Sequence, residues 1–246
     1  MTSPNPQALG LPQVVLNLAN CPQGLVLVTG PTGHGKSTTL AALLSEVNRL
    51  HSCHVITIED PIEFVHPHKL ALIDQREVNA DTLSFANALK YVLRQDPDVI
   101  LIGEMRDPET IRAALTAAET GHLVFATLHT NDVAQSVDRI IDVFPADQQG
   151  QIRSQLAASL EAIIAQRLLP RRGEKGGRVA AFEILIGTMA VKAMIRDKKT
   201  HQLSGYMETA AKDGMITMDR ALRDLFEAGQ ITRETYLTMA RNPVTF

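Results

Sequence analysis

A glycine-rich octapeptide is the stretch of this sequence best suited to chemistry, Gly30-Pro-Thr-Gly-His-Gly-Lys-Ser37. It fits the pattern G-x-x-x-x-G-K-[ST], in which backbone N–H groups surround phosphate oxygens. Within this pattern Lys36 would reach the β- and γ-phosphates of a nucleotide, and Ser37 would bind Mg²⁺. The residues expected to contact phosphate are Gly30, Pro31, Thr32, Gly33, His34, Gly35, Lys36, Ser37 and Thr38. The octapeptide therefore predicts a nucleotide site.

The sequence on either side of the octapeptide supports this prediction. Residues 25–29 form a short run of Val and Leu, as in a strand buried on both faces. Residues 37–50 place apolar side chains on one face of a helix. Strand, glycine loop and helix thus follow in the order that a phosphate-binding loop requires, and a chance glycine-rich turn is a poor alternative.

Carboxylates follow two further strand-like runs, and histidines flank a third. Glu59, Asp60 and Glu63 follow residues 54–58, and Glu104 follows residues 98–102. His122 and His129 flank the run at 122–127. Parallel sheets bind ligands at the carboxyl ends of their strands, so these residues are expected near the glycine loop.

Each of these side chains has a candidate role in ATP hydrolysis. Such an enzyme needs one carboxylate to hold Mg²⁺ or its waters, and another to polarise the attacking water. Ser37, Glu59 and Asp60 are the candidates for Mg²⁺. Glu104 is our choice for the water, with Glu63, Glu59 and His129 as the other catalytic candidates. Taken alone, His129 is better explained as a hydrogen-bonded structural histidine.

The order of predicted elements favours an α/β fold with a parallel sheet covered on both faces. Helices are expected at 13–20, 82–94, 108–120, 132–143 and 147–168, a final strand at 179–186, and a weak edge strand or hairpin at 70–73. From residue 188 the periodicity is helical. We therefore divide the chain into a flexible tail (1–12), an ATPase core (13–187) and a C-terminal helical region (188–246).

Composition excludes several classes of protein. The chain has 246 residues and a net charge of −3, without the basic stripe that a nucleic-acid-binding protein would carry. No apolar run approaches ~18 residues, the length that spans a membrane. The polar, proline-rich residues 1–12 lack the apolar segment of a signal peptide. Cys21 and Cys53 lie in no paired motif and are expected to be reduced thiols in a cytosolic protein.

Four ordered motifs resemble those of the secretion ATPases, and within that superfamily the type IV pilus retraction ATPases (the PilT group). They match the Walker A, Asp box, Walker B and His box of the family at residues 30–39, 57–64, 101–107 and 120–130. The resemblance runs from about Leu9 to the C-terminus, and includes Gln75-Arg-Glu-Val78 and Ala190-Val-Lys-Ala-Met-Ile-Arg-Asp197, with Val191 and Lys192 as departures.

The resemblance implies both a fold and an activity. The fold would be a RecA-like P-loop NTPase core with a C-terminal helical appendage. The protein would form a homo-hexameric ring in which ATP hydrolysis drives pilin subunits back into the membrane. It would act with an inner-membrane pilus platform protein, in the cytoplasm and peripheral at the inner face of the cell membrane.

The sequence departs from the family at two points. His34 stands where the family usually has Ser; its backbone N–H can still serve, so binding is expected to survive. The family also carries a PAS-like N-terminal domain that supplies arginines to the nucleotide, and we find no match to it here. We therefore expect the chain alone to bind Mg-ATP, to hydrolyse it slowly and to form rings weakly.

Several alternatives stay open. Pilus-assembly and type II secretion ATPases share all four motifs, but usually add a four-cysteine zinc insertion that two cysteines cannot build. A nucleotide-gated binding module with little turnover is an alternative from another class, and DNA translocation is the least favoured. The arginine that acts across a subunit interface is not determined; the candidates are Arg76, Arg94, Arg106 and Arg112.

Overall fold

The structure is a computed structural model that describes Pro4, Pro6, residues 9–173 and residues 177–243. Half of the predicted tail and the tip of the glycine-rich turn after residue 170 lie outside the described residues. One seven-stranded sheet organises the described part of the chain. Its strands are β1 (Gly24–Thr29), β2 (His54–Glu59), β3 (Leu72–Glu77), β4 (Val99–Ile102), β5 (Leu123–Leu128), β6 (Leu160–Pro170) and β7 (Arg178–Ile186).

Helices connect and cover these strands, which confirms the predicted α/β class. The helices are α1 (Gln13–Asn17), α2 (Lys36–Leu50), α3 (Phe85–Val92), α4 (Pro108–Glu119), α5 (Val133–Asp142), α6 (Ala146–Ser159), α7 (Met189–Arg196), α8 (Leu203–Thr209), α9 (Met218–Glu227) and α10 (Arg233–Met239). Short 3₁₀ turns lie at Leu18–Asn20, Thr200–Gln202 and Ala211–Asp213.

The strands run in the spatial order β3-β2-β4-β5-β1-β6-β7, so β1 lies inside the sheet. Neighbours from β3 to β6 pair in parallel, while β7 pairs with β6 in antiparallel register. The expectation of a purely parallel sheet is therefore wrong at one edge, because a hairpin rather than a crossover helix connects β6 to β7. The weak strand expected at 70–73 is the parallel edge strand β3, and the hairpin alternative is wrong.

The long helix predicted at 147–168 is also wrong in its second half. Helix α6 ends at Ser159, and Leu160 begins β6 without an intervening loop. Apolar residues recur at helical spacing through this stretch, but from Leu160 onward they are buried on both faces of the sheet. Ile163 packs with the cluster on one face and Ile164 with the cluster on the other. A strand buried on both faces has no alternation of apolar and polar residues, so the sequence pattern could not distinguish it from a helix. Pairing with neighbouring strands determines that this stretch is a strand.

Two apolar layers enclose the sheet. One contains α1 and α2 with residues such as Val28 and Leu43, and the other packs α3 to α8 against residues such as Leu27 and Ile102. Leu11, inside the predicted tail, is 8% exposed and belongs to the first layer. These layers hold the ends of β1, β2, β4 and β5 in fixed positions, which is what the site requires.

The C-terminal helices α9 and α10 form a small core of their own against the hairpin of β6 and β7. Its buried members include Leu222 and Tyr236, whose ring stacks on Phe226 with centroids 5.4 Å apart. The boundary predicted near Gly187 stays a prediction. In the described part of the chain, no helix combines the length and apolarity that crossing a membrane requires.

Candidate nucleotide site

The glycine loop connects β1 to α2 through backbone conformations that only glycine adopts easily. Gly30, Gly33 and Gly35 have φ angles of 144°, 76° and 83°. A Cβ on Gly30 would lie 2.4 Å from the backbone oxygen of Gln166, so the loop approaches β6 too closely for any side chain there. These constraints fix the path of the loop.

Helix α2 begins without the side-chain cap that several other helices of this chain have. Asp107 caps α4 and Asp132 caps α5, each accepting a hydrogen bond from a backbone N–H of the first turn. At the start of α2 the N-cap is Gly35, which makes no side-chain cap hydrogen bond. The first N–H groups of α2 and its partial positive charge are therefore available to an anion.

Lys36 is buried and points back into the loop. Its Nζ donates to the carbonyl oxygens of Gly30 and Pro31, at 2.9 and 3.1 Å, and lies 3.4 Å from Nδ1 of His129. Burial lowers the pKa of Lys36, while the carboxylates of Glu104 and Glu63 counter that effect. The ammonium group is thus held where the loop curls, in reach of both the loop backbone and the neighbouring strand ends.

Strand β6 supports the loop from the side through a buried amide. Gln166 is 3% exposed; its Nε2 donates to the carbonyl oxygen of His34 at 2.8 Å, and its Oε1 accepts from Thr39 Oγ1 at 2.6 Å. The backbone N–H of Leu168 donates to Nδ1 of His34 at 3.0 Å. Arg178 on β7 donates to the carbonyl oxygen of Gly33 at 2.9 Å.

Glu104 and His129 meet at the ends of β4 and β5. His129 Nε2 lies 3.1 Å from Glu104 Oε1, and Arg106 Nε contacts the same oxygen at 2.5 Å. On its other side, Nδ1 of His129 lies 3.3 Å from Thr32 Oγ1 in the glycine loop. Burial by itself raises the pKa of Glu104, but the hydrogen bond from Arg106 and the charge of His129 outweigh it and lower the pKa. Glu104 is therefore an ionised carboxylate linked through His129 to the loop.

The segment of residues 60–66, here called the acidic loop, follows β2 and faces the start of α2. Ser37 Oγ donates to Glu63 Oε1 at 2.9 Å. Glu59, at the end of β2, accepts from Thr57 Oγ1 at 2.7 Å, and burial together with the nearby Glu63 raises its pKa. Asp60 is exposed, and its charge adds to the hydrogen bond and charge of Glu104 in raising the pKa of the Arg106 guanidinium.

These oxygen atoms fit Mg²⁺ in the way a nucleotide-dependent site requires. Among the described residues, no three His, Cys, Asp or Glu side chains form a group that could hold a metal ion. Mg²⁺ is commonly bound by one or two carboxylates together with substrate phosphates, and hydroxyl and carboxylate oxygens are the ligands it prefers. The Ser37–Glu63 pair beside the glycine loop is such a partial ligand set.

A cavity of roughly 880 Å³ joins these groups. It is lined by the glycine loop, Glu59, Glu63, Glu104 and His129. The cavity is also lined by apolar residues from the N-terminal segment and from β6 and β7, which are Leu9, Leu11, Leu168, Val179, Ala180 and Phe182, together with Arg171 and Arg178. Charged groups and apolar surface in one cleft suit a ligand that has a phosphate chain and a flat base.

Comparison with known proteins agrees with this geometry. Residues 11–213 match the family described as type II/IV secretion system protein. The chain is 52% identical over 240 residues to the type IV pilus retraction ATPase PilT of Pseudomonas aeruginosa, covering 98% of this chain and 69% of that protein. This chain belongs to the type II/IV secretion system protein family.

Within the family, the chain belongs with the pilus retraction ATPases, as its motifs predicted. It is also 54% identical over 236 residues to the twitching motility protein of Neisseria gonorrhoeae, covering 96% of this chain and 63% of that protein. The crystal structure of the pilus retraction motor PilT with bound ADP matches with a TM-score of 0.90 at 50% identity, covering 98% of this chain and 68% of the other. The chain thus spans about two thirds of the length of these relatives.

The structure of this secretion ATPase brings most of the predicted site residues into one cleft. His122 is the exception, because it precedes β5 and contacts the carbonyl oxygen of Ala117 at the opposite edge of the sheet. Of the arginines considered for a role across an interface, Arg106 lies in the site. Arg76 contacts Gln95, and Arg112 contacts Gln148 and lies over the ring of Phe144.

Three residues that contact the site are not among the predicted site residues: Gln75, Gln166 and Arg178. Gln166 lies in the stretch predicted as a helix, where its position relative to the glycine loop could not be foreseen. Arg178 lies beyond a predicted turn. Gln75 belongs to a motif shared with the family, which assigns it no role in the site. Each of them contacts backbone atoms, and such contacts depend on the fold rather than on local spacing.

Proposed function

We propose that this secretion ATPase binds Mg-ATP in the cleft, hydrolyses it to ADP and phosphate, and uses the hydrolysis to drive retraction of a type IV pilus. One observation carries the proposal. An ionised carboxylate, Glu104, is held by His129 beside the lysine and hydroxyl of a phosphate-binding loop. Charge neutralisation and a positioned carboxylate are the two elements that phosphoryl transfer to water requires.

Glu104 would orient and polarise the attacking water. Its lowered pKa keeps it ionised at neutral pH, so it can accept a hydrogen bond and then a proton from that water. Arg106 contacts the same carboxylate and fixes its orientation. Glu59 and Glu63 face the same cleft. In this proposal they would help to hold Mg²⁺ and would not polarise the attacking water.

His129 would couple the position of Glu104 to the presence of the terminal phosphate. One ring nitrogen lies against Thr32 and Lys36, and the other against Glu104. A phosphate group that changes the position of Lys36 or Thr32 therefore acts on the same imidazole that holds the catalytic carboxylate. In this role the histidine positions the carboxylate and takes no proton from the water.

Ser37, Glu63, Glu59 and Asp60 would hold Mg²⁺ directly or through its waters, and a bound Mg²⁺ would neutralise charge on the β- and γ-phosphates. The loop N–H groups and Lys36 would bind the phosphate chain. The base would lie against the apolar residues of the cleft, between the segment with Leu11 and strand β7.

Family membership also supports proposals about assembly and location. The motor would work as a homo-hexamer, contact an inner-membrane pilus platform protein, and lie peripherally at the inner face of the cell membrane. These proposals rest on the group to which the chain belongs, since the contacts within one chain do not identify a partner.

The test of hydrolysis compares the wild-type chain with Lys36→Ala and Glu104→Gln by phosphate release and by binding of a fluorescent ATP analogue. Glu104→Gln is expected to bind the analogue normally while turnover falls ~10²-fold or more, the scale of general-base removal. Lys36→Ala is expected to weaken binding because it removes the charge aimed at the phosphates.

Glu109→Gln is a matched control, because Glu109 is exposed in the first turn of α4 outside the cleft. A wild-type chain that binds the analogue but releases no phosphate at any protein concentration would favour a nucleotide-gated binding module. Comparable turnover in Glu104→Gln would contradict the role of Glu104 and direct attention to Glu63 and Glu59.

The direction of work is tested with a chimera. Residues 13–243 replace the matching part of PilT in a PilT-deficient Pseudomonas aeruginosa strain, an exchange that the 52% identity favours. A retraction motor is expected to restore twitching, and the same chimera with Glu104→Gln is expected to fail. A chimera that accumulates and hydrolyses ATP without restoring twitching would favour the assembly or secretion alternative.

A further inference from the structure

Edge strand β3 places one amide side chain beside the acidic loop. Gln75 is the register partner of Thr57 in the parallel pairing of β3 with β2. Side chains alternate along a strand, so Gln75 and Thr57 lie next to each other on the same face of the sheet. On this face Val55 and Ile73 pack in the layer that contains α2. Gln75 therefore points toward the side of the sheet on which the phosphate-binding helix lies.

Gln75 contacts the acidic loop and Glu59 at the same time. Its Nε2 lies 2.9 Å from the carbonyl oxygen of Phe64 and 3.1 Å from Oε1 of Glu59. Its Oε1 accepts a hydrogen bond from the backbone N–H of His66 at 2.9 Å. One side chain thus fixes the far end of the loop and one oxygen of the carboxylate that precedes it.

A second contact from the same strand fixes the near end of the loop. The backbone N–H of Ile62 donates to Oε2 of Glu77 at 3.0 Å. Between these two anchors the loop presents Glu63, whose carboxylate accepts the hydrogen bond from Ser37 Oγ. The orientation of Glu63 toward the glycine loop therefore depends on β3, although β3 itself has no residue in the phosphate-binding motif.

We infer that Gln75 is a positioning residue that holds the acidic loop and Glu59 in the orientation that the reaction requires. The inference rests on the proposed function, because it assigns Gln75 a role in the same site. It acts through Glu59 and Glu63, since those residues line the cavity and Gln75 does not.

Glutamine is suited to this position because it donates and accepts at once. Glutamate has nearly the same shape and could still accept from His66. It could not donate to Phe64 or to Glu59, and it would add a negative charge beside Glu59. Leucine has a similar volume and would lose all three contacts. The pair Gln75→Glu and Gln75→Leu therefore separates the hydrogen bonds from the space that the side chain fills.

The test measures steady-state ATP hydrolysis, Mn²⁺ binding in the presence of ADP, and hydrogen exchange of the wild-type and variant chains. Both variants are expected to lower kcat about 10-fold or more, with the KM for ATP within about twofold of wild type, because the lost hydrogen bonds orient groups instead of binding the nucleotide. Mn²⁺ affinity is expected to fall several-fold in Gln75→Leu, the variant that adds no charge near the metal site. Amide exchange in residues 60–66 is expected to quicken while exchange in α2 does not change.

Asp74→Asn is the matched control: Asp74 precedes Gln75 on β3 but contacts His54 on the other face of the sheet. Variants with wild-type kcat, or with a raised KM and an unchanged kcat, would overturn the inference. Equally fast exchange in α2 would also overturn it, because it would indicate a loss of stability throughout the chain and not a local effect on residues 60–66. If the wild-type chain does not hydrolyse ATP, the proposed function fails, while Mn²⁺ affinity and exchange in residues 60–66 still decide the role of Gln75.

Discussion

His34 shows how one side chain connects the phosphate-binding loop to a neighbouring strand. Its Nδ1 accepts the backbone N–H of Leu168, so the imidazole is neutral in this contact. Burial lowers its pKa from the ordinary value of 6.5, and the positive charges of Lys36, Arg167 and Arg178 lower it further. A protonated ring carries hydrogen on both nitrogens and cannot accept, so the contact requires the neutral form.

This contact predicts a pH dependence of nucleotide binding. Because the folded-state pKa lies below that of the unfolded chain, the stabilisation by His34 is complete above about pH 6.5 and is lost as the pH falls through the lower, folded-state value. His34→Asn keeps an acceptor but removes the titration. We therefore expect the affinity for a fluorescent ADP analogue to fall less steeply in His34→Asn than in wild type between pH 7.5 and about pH 5.

The nucleotide itself titrates in the same range, and comparing the two chains at each pH removes that contribution. His34→Ser serves as a second variant, because a serine side chain is too short to reach Leu168. It is expected to bind more weakly than His34→Asn at pH 7.5. Parallel pH profiles for wild type and His34→Asn would contradict the assigned role of His34.

At this scale the sequence predicts residues that the fold brings together in the cleft, and their chemical roles stay a prediction. Lys36 and Ser37 follow from the glycine motif, and Glu104 from its place after a buried strand; His129 also lies in the cleft. Gln166 could not be predicted, since its role depends on β6 lying beside β1. No local signal distinguishes a glutamine that holds a loop from one that faces water.

At the scale of elements, β6 is the support of the glycine loop. The amide of Gln166 contacts His34 and Thr39, and a backbone oxygen of the same residue excludes any side chain at Gly30. The loop is therefore packed between the end of β1 and the middle of β6. Its conformation depends on the pairing of these two strands as well as on its own glycines.

Gln166→Leu tests this support. The substitution would leave the hydroxyl of Thr39 and the carbonyl of His34 without their partners, at a cost of ~1–3 kcal/mol for each buried polar group. We expect nucleotide affinity to fall about 10-fold and the melting temperature to drop by roughly 4 °C or more. Calorimetric titration with ADP and thermal unfolding measure the two effects.

Gln155→Leu is the control for this variant. It removes a hydrogen bond between α6 and Glu119 of α4, away from the glycine loop. We expect it to lower the melting temperature without weakening ADP binding. If Gln166→Leu also left ADP affinity unchanged, β6 would not support the loop as described.

The elements themselves could be predicted in most places, and the largest error has an identifiable cause. Strands β1, β2, β4 and β5 and helices α2, α4 and α5 lie within a residue or two of their predicted positions. The prediction of a helix at 147–168 is wrong from Leu160 onward. Leu160, Ile163 and Ile164 fit the apolar face of a helix as well as they fit a strand with two buried faces. Which of the two forms depends on the partners β1 and β7, and those are distant in sequence.

At the scale of the whole molecule, a cluster of charges links the C-terminal helices to the segment after β5. Arg241 follows α10 and contacts Asp132, the cap of α5, at 2.5 Å, and its backbone N–H donates to Asp219 of α9. Glu183 on β7 is buried beside them and lies 3.4 Å from the backbone N–H of Val133. Burial and the charge of Asp132 raise the pKa of Glu183 to about 7, although Arg241 counters them.

The raised pKa of Glu183 predicts a stability profile. The unfolded chain ionises Glu183 near its ordinary value of 4.5, so the favourable contribution is complete below that pH and is lost as the pH rises through about 7. A difference of this size between the two pKa values corresponds to about 3 kcal/mol in the free energy of unfolding. Glu183→Gln is therefore expected to melt at a higher temperature than wild type at pH 8, with the difference shrinking toward pH 5.

Thermal unfolding from pH 5 to pH 8 measures this profile. Glu227→Gln, at an exposed position of α9, is expected to follow wild type throughout. Arg241→Gln is expected to steepen the loss of stability with rising pH, because it removes the cation that favours the ionised carboxylate. A constant difference between Glu183→Gln and wild type at every pH would show that Glu183 does not titrate as described.

The direct passage from α6 into β6 has a mechanical consequence. Ser159 ends the helix and Leu160 begins the strand, so no flexible joint separates them. A loop between them would absorb a small rotation of the helix, whereas a helix joined directly to a sheet strand passes that rotation to the strand. Arg153, near the middle of α6, contacts the carbonyl oxygen of Ile195 on α7, and α6 leads directly into the strand that carries Gln166. A displacement of α7 would therefore be passed through α6 and β6 to the loop that would bind the phosphates.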